Sequence, residues 1–172
     1  MLFRSIRGTN GGFFRYSPQN KSLVRHAQLK IPNPWGICVD AYGQEFFLHT
    51  SGPALGWMLP GEVNARYGAA LNSQDLLSSN KVRPTSGLEI VSSRHFPDEV
   101  QGDILINNNI GFLGIKQHQL IDSDPGFESK YRQDLLFSTD TNFRPVDLEF
   151  APDGSLRSEE HTSELQSPCN LV

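Results

Sequence analysis

Short apolar runs separated by Gly, Pro, Asn and Asp are the feature that most constrains the fold of this chain. The helical spacing of apolar residues never persists beyond about two turns, whereas aromatic and β-branched residues concentrate in the short runs. This pattern predicts an all-β protein. The predicted strands cover residues 12–16, 23–28, 36–40, 45–50, 88–92, 103–107, 114–120, 135–138 and 146–150.

An internal repeat narrows the prediction further. Residues 33–43 read NPWGICVDAYG and residues 144–154 read RPVDLEFAPDG. Each copy contains a Pro, an apolar strand and a turn that closes on Gly nine residues after the Pro. Pro can open a strand where no ladder N–H is needed, and Gly accepts the positive φ of a tight turn. Both copies therefore predict a strand that enters at Pro and turns back after Gly.

Repeated strand–turn–strand units are typical of β-propellers, whose blades take about 40–50 residues each. The two copies begin 111 residues apart, which fits between two and three blades. Residues 103–115 supply a further predicted hairpin between them. A β-sandwich with incidental turns is the alternative that the pattern leaves open.

Composition and charge exclude several classes of protein. The formal net charge of −4 argues against a nucleic-acid partner, and no 18-residue apolar run predicts a transmembrane segment. The two cysteines cannot form a disulfide framework, and the histidines show none of the spacings of a zinc site. We therefore expect no bound metal and no nucleic acid.

The last sixteen residues have a composition of their own. Residues 157–167 read RSEEHTSELQS, which is the translation of a widely used short-read sequencing adapter. We therefore expect an incomplete β-propeller fragment over residues 1–156 and an adapter-derived, disordered tail over residues 157–172. A natural polar C-terminus is the alternative.

Several local expectations follow from smaller patterns. Residues 52–86 predict a long surface loop with a short helix over residues 73–77, and residues 122–126 (DSDPG) predict a hairpin turn rather than a calcium loop. Cys38 lies between two apolar residues of a predicted strand, so we expect a buried thiol. His118 lies among polar residues, so we expect it to be exposed.

Two segments resemble a known family. Residues 84–103 (PTSGLEIVSSRHFPDEVQGD) and 138–154 (STDTNFRPVDLEFAPDG) resemble the membrane-bound dehydrogenase-type proteins of planctomycete bacteria. The propeller of those proteins is similar to that of pyrroloquinoline-quinone-dependent glucose/sorbosone dehydrogenases. Helical repeats and a haem-binding cytochrome c module commonly follow it. The resemblance implies roughly three blades of a partial, six-bladed β-propeller.

The resemblance also implies candidate site residues. Arg144 matches a strand-entry Arg that contacts the quinone in the sugar dehydrogenases, and a guanidinium suits an anionic tricarboxylic cofactor. The alternative is that Arg144 pairs with Asp140 or Asp147. Asn107 and Asn109 occupy a hairpin where those enzymes offer a Lys, so they become candidate hydrogen-bond donors to the cofactor. Asn in a hairpin also serves because it tolerates positive φ.

The function implied by the resemblance is that of a secreted or periplasmic quinoprotein-like dehydrogenase acting on a small-molecule sugar or alcohol. The quinone would belong to the intact protein and the haem to a downstream module, while the fragment alone is expected to be inactive. The alternative is a non-catalytic propeller that binds carbohydrate or protein. A metal-dependent lactonase of similar architecture is a third hypothesis.

Overall fold

The computed structural model describes residues 6–8, 11–51, 55–58, 72–160 and 169–171, and within them the chain is all-β. A single 3-10 turn, Asp98–Val100, accompanies the strands. The strands are β1 (Phe13–Ser17), β2 (Ser22–Ala27), β3 (Pro34–Val39), β4 (Glu45–His49), β5 (Leu55–Met58), β6 (Thr85–Ile90), β7 (Ile104–Asn108), β8 (Gly114–Ser123), β9 (Gly126–Phe137), β10 (Pro145–Phe150), β11 (Leu156–Glu160) and β12 (Cys169–Leu171).

The strands form four antiparallel sheets in chain order. We call β1–β2 the N-terminal hairpin, β3–β5 blade I, β6–β9 blade II and β10–β12 blade III. The first strand of each blade contacts the first strand of the next, so β3, β6 and β10 form a row of inner strands. This arrangement is that of a partial β-propeller, as the repeat predicted.

The repeated segments adopt the same local structure. Pro34 and Pro145 open β3 and β10, and a bulge follows each Pro in the pairing with the returning strand. Gly43 and Gly154 close the two turns with φ of +83° and +84°, a conformation that favours glycine. The repeat is therefore one supersecondary unit, used in blades I and III.

Apolar residues alternate along the central strands, so each sheet covers both of its neighbours. On β4, Phe46 and Leu48 pack towards blade II, whereas Phe47 packs against the N-terminal hairpin. On β7, Ile104 and Ile106 pack towards blade I, and Leu105 packs towards blade III. Period-two alternation thus builds a separate core on each face of a blade.

Three local expectations were wrong. Residues 73–77 form no helix; Leu77 instead makes an isolated bridge to Ser129 of blade II. Residues 55–58, expected in a loop, form β5 on the edge of blade I. His118, expected at the surface, is buried with 1% of its surface exposed. β8 is an internal strand of blade II, and the His118 ring packs against Tyr131 of β9.

Other expectations are confirmed. Cys38 is a buried free thiol, and burial raises its pKa, with a further contribution from the charge of Glu89. Residues 122–126 form the β8–β9 hairpin turn. No helix among the described residues is long and apolar enough to cross a membrane.

The expected boundary at residue 156 falls after the first residue of β11 (Leu156–Glu160). Residues 157–160 continue β11, which pairs with β10 as the returning strand of the second repeat. A returning strand here needs only backbone donors and acceptors opposite the edge of β10, which a polar segment can supply. The adapter origin of residues 157–172 stays a prediction.

Candidate functional site

The candidate cofactor residues meet at one end of the blades. We call this the entry end, where β3, β6 and β10 begin and where β4, β7 and β11 finish. Arg144 immediately precedes β10, Asn107 lies near the end of β7, and Asn109 follows that strand. The structure thus brings all three predicted residues to the same end of the inner strands.

Arg144 is exposed and directly follows a tight turn over residues 140–143. The turn is held by Asp140, whose side chain accepts the N–H of Asn142 at 2.9 Å and whose carbonyl accepts the N–H of Phe143 at 3.0 Å. The Nε–H of Arg144 donates to the carbonyl of Thr141 at 3.3 Å. A permanently charged group therefore stands at the mouth of the inner strands, in a position fixed by the turn.

Asn107 has a different environment from the one the resemblance implies. Its side chain is fully buried, and its Nδ2–H donates to the carbonyl of Asp147 on β10 at 2.9 Å. The same carbonyl accepts the hydroxyl of Ser158 at 2.7 Å. The amide donor of Asn107 thus joins blade II to blade III.

The neighbouring asparagines follow a related pattern. Asn108 donates through Nδ2 to the carbonyls of Val82 and Pro84, at 2.8 and 3.3 Å. The Oδ1 atoms of Asn107, Asn108 and Asn109 are buried without a protein partner. Because an orphaned amide oxygen accepts hydrogen bonds, these positions suit a donor such as water or a hydroxyl.

Side-chain hydroxyls connect adjacent blades at the entry end, and sequence reasoning missed them. Thr50, after β4, accepts the N–H of Thr85 at 3.1 Å and so joins blade I to blade II. The buried hydroxyl of Ser86 donates to the carbonyl of Pro145 at 2.7 Å and joins blade II to blade III. The signal in the sequence is slight: Ser86 is the second residue of β6, and Thr50 directly follows the last residue of β4.

Two glycines set the close approach of the inner strands. A Cβ on Gly36 would lie 2.9 Å from the Cβ of Leu88 on β6, and one on Gly87 would lie 2.9 Å from Nδ2 of Asn107 and 3.0 Å from the Cα of Asp147 on β10. Real Cβ atoms do not approach so closely, so any larger residue would push the blades apart. The entry end is therefore compact, with its exposed groups on the rim.

A second arginine lies on this rim. Arg83 precedes Pro84 as Arg144 precedes Pro145, and both side chains are exposed. Trp35, 47% exposed, stands near the start of β3 with its indole N–H donated to Asn33 at 2.9 Å. The Arg-Pro pair was visible in the sequence, but Pro84 precedes its strand rather than opening it, so the likeness was missed.

The opposite end of blades I and II encloses a cleft of about 830 Å³. Glu89 of β6 lines it together with Tyr42, which is 90% exposed. Burial raises the pKa of Glu89, and the charge of Glu149 on the neighbouring inner strand adds to the shift. Asp40 beside it is committed to the turn, where its carboxylate accepts the N–H groups of Tyr42 and Gln44.

A cationic cluster occupies the outer part of blade II. The buried Lys116 forms an ion pair with Asp134 at 2.8 Å and lies 3.8 Å from the ring centroid of Phe112. Tyr131 donates its hydroxyl to the same carboxylate at 2.9 Å. Burial, reinforced by the charge of Lys116, lowers the pKa of the adjacent His118 to about 4. Lys116, Asp134 and Tyr131 satisfy one another, whereas the buried Nδ1 of His118 has no hydrogen-bond partner in the protein.

No group of three or more His, Cys, Asp or Glu side chains within the described ranges is arranged to hold a metal ion. Asp103, the most buried carboxylate of blade II, is held by Arg132 at 2.5 Å and by Gln117 at 2.6 Å. Asp103 and Arg132 are thus paired with each other.

Blades packed face to face around a row of inner strands place the chain in the class of β-propellers. A crystal structure of an oxidoreductase (glucose dehydrogenase) from Thermus thermophilus superimposes with a TM-score of 0.61 at 14% identity. A second structure, described as glucose dehydrogenase, gives 0.56 at 12% identity. Each alignment covers 86% of this chain, which spans 46% and 42% of the two solved chains.

The chain belongs to the domain family of unknown function DUF7133, whose profile matches residues 5–157. No curated protein matches the sequence. The two superpositions agree on a propeller, and this likeness to the solved structures concerns the fold.

Proposed function

We propose that this chain is part of a secreted or periplasmic dehydrogenase-type propeller that acts on a small sugar or alcohol in the intact protein. The observation that carries the proposal is the superposition on two glucose dehydrogenase propellers, combined with Arg144 at the mouth of the inner strands. The planctomycete-type, membrane-bound dehydrogenases remain the family that the sequence resembles.

The residues present fit a pyrroloquinoline quinone only in part. Arg144 suits a carboxylate of an anionic quinone, since its guanidinium donates a forked pair of hydrogen bonds. Asn107 does not suit it, because its amide donor is committed to Asp147 and its free atom is an acceptor. We therefore derive no chemical step through the quinone from these residues, and we propose that the described blades alone are inactive.

The direct test uses the full-length parent protein. Sugar-dependent reduction of a dye acceptor is measured with and without added pyrroloquinoline quinone, for the parent and for Arg144→Gln. We expect the reduction to require the quinone and to fall at least tenfold in the variant. Arg94→Gln, an exposed arginine at the other end of the blades, is the matched control and should retain activity.

The committed amide of Asn107 favours a second candidate, a non-catalytic propeller that binds carbohydrate or protein. Under that function the parent would bind a sugar or a protein without reducing the dye under any condition. Unchanged dye reduction in Arg144→Gln would instead remove Arg144 from the site while leaving the dehydrogenase proposal standing.

A further inference from the structure

The three inner strands are equivalent by register, yet their burial differs. Ile37, Leu88 and Leu148 occupy the same position in β3, β6 and β10, two residues after the bulged entry, on the face directed to the preceding sheet. Leu88 and Leu148 are 5% and 1% exposed, whereas Ile37 is 50% exposed. One inner strand thus lacks the cover that the other two have.

The same contrast recurs along β3. Val39 is 56% exposed, while its counterpart Ile90 on β6 is 6% exposed. Trp35, the bulged residue at the start of β3, is 47% exposed. Exposed apolar residues therefore follow one another along β3, Trp35, Ile37 and Val39, and the last two lie on the face where the next two blades receive the sheet before them. We call these three residues the β3 stripe.

The β3 stripe continues an interface that is already formed. Ile37 pairs with Phe47 of β4, which the N-terminal hairpin covers together with Met58. Val39 pairs with Glu45, which binds Arg15 of β1 at 2.7 Å and His26 of β2 at 2.5 Å. The hairpin thus covers the outer part of the face of blade I and leaves the inner part open.

The N-terminal hairpin has the position of the outer half of a blade. β2 leads into the inner strand β3 through residues 28–33, much as β9, the last strand of blade II, leads into β10 through residues 138–144. Within the described residues β1 pairs with β2 alone, so its other edge carries unpaired backbone groups. An open edge and an open apolar face therefore adjoin each other.

We propose that the β3 stripe and the free edge of β1 together receive a two-stranded antiparallel hairpin from the remainder of the same propeller. The hairpin would pair with β1 and pack on β3, so that β1 and β2 become the third and fourth strands of a four-stranded blade like blade II. The solved propellers are more than twice as long as the matching region, so such a propeller contains further chain that can supply the hairpin.

The test uses Trp35 as a reporter, in the 172-residue chain carrying Trp57→Phe. The probe is a synthetic peptide with the sequence of residues 33–50 in which Trp35 is replaced by Phe. In blade I this hairpin presents Phe46 and Leu48 to the next blade, which is the geometry the open face requires. We expect acrylamide quenching of Trp35 to fall at least twofold at saturating peptide. We also expect the urea midpoint of the chain to rise when the same peptide is fused before residue 12 through a Gly/Ser linker.

Two substitutions separate binding from folding. Val39→Lys should abolish the protection without lowering the urea midpoint of the unfused chain, because residue 39 is exposed there and lies opposite the carboxylate of Glu45. Tyr42→Lys, at a residue that is 90% exposed and outside the stripe, should retain the protection. If the Trp57→Phe variant does not fold, the chain that keeps both tryptophans is used in its place. The fluorescence of its Trp35→Phe variant is then subtracted, which leaves the signal of Trp35.

Two results would overturn the proposal. The first is an acrylamide quenching of Trp35 that stays the same with the free and with the tethered peptide, or a protection of Trp35 that survives Val39→Lys. The second is protection that needs no peptide and rises with protein concentration, which would identify a second copy of the chain as the occupant.

Discussion

Truncating the equivalent residues Ile37, Leu88 and Leu148 to Ala measures how much each blade interface contributes to stability. Leu88 and Leu148 are almost fully buried between sheets, and large-to-small changes of this kind cost about 2–5 kcal/mol through lost transfer free energy and the cavity left behind. Ile37 is half exposed, so only part of the roughly 1.5–3 kcal/mol of a fully buried side chain is at stake, and we expect a cost of about 1 kcal/mol or less.

Urea unfolding followed by far-UV circular dichroism gives the free energy of unfolding for the three variants and the parent chain. The m-value should stay constant, so that the midpoint alone reports the difference. The same register position then costs at least twice as much in β6 and β10 as in β3. An Ile37→Ala cost equal to that of Leu88→Ala would refute the reasoning, because it would mean that the face of β3 is already covered in the isolated chain.

Three further predictions concern buried polar groups. Because the folded chain holds the pKa of His118 at about 4, against 6.5 for an unperturbed histidine, unfolding takes up a proton between these values. The free energy of unfolding should therefore fall as the pH drops from 6.5 to about 4, by at most about 3 kcal/mol. His118→Phe should remove this dependence in urea titrations at several pH values, and the exposed His95→Phe should not. Glu89→Gln should raise the urea midpoint at pH 7 and leave it unchanged at pH 3, because the raised pKa of Glu89 means that its charged form is disfavoured in the folded chain; an equal gain at both pH values would contradict that origin. Asp103→Ala should cost about 3 kcal/mol in thermal or urea unfolding, since it leaves Arg132 without its buried partner, and a cost below 1 kcal/mol would show that the pair is dispensable.

The blade repeat could be read from the sequence because Pro and Gly have backbone requirements that depend little on their surroundings. Pro34 and Pro145 open strands, and Gly43 and Gly154 close turns at positive φ, so the spacing alone revealed the unit. The equivalent unit of blade II was not recognised in the sequence. Its inner strand turns back through residues 91–103 and a 3-10 turn, which removes the regular distance from Pro to Gly.

Side-chain direction was the part that the sequence did not reveal. Asn107 was expected to offer its amide to a ligand, but it shares the face of Leu105 and is directed to blade III. His118 was expected at the surface on the evidence of its polar neighbours, yet the pairing of β8 with β7 and β9 buries it. Both outcomes depend on which sheet lies opposite, which is a tertiary property.

The location of Arg144 followed from its place before a strand-opening Pro, and the structure puts it at the entry end as expected. Its role as a cofactor ligand stays a prediction. The hydroxyl bonds of Thr50 and Ser86 could not be predicted, because each depends on the carbonyl or N–H of a residue 35 or more positions away.

The hydrogen bond from Ser86 to Pro145, with that of Thr50 to Thr85, has a mechanical consequence. Apolar faces resist separation but oppose sliding only weakly, because their attraction has no direction. The hydroxyl of Ser86 donates to one carbonyl and that of Thr50 accepts one N–H, and each such bond has a preferred geometry that fixes the vertical offset and the tilt of one sheet against the next. Blades I and II, and blades II and III, are thus aligned at the entry end, and small angular errors do not accumulate from one blade to the next.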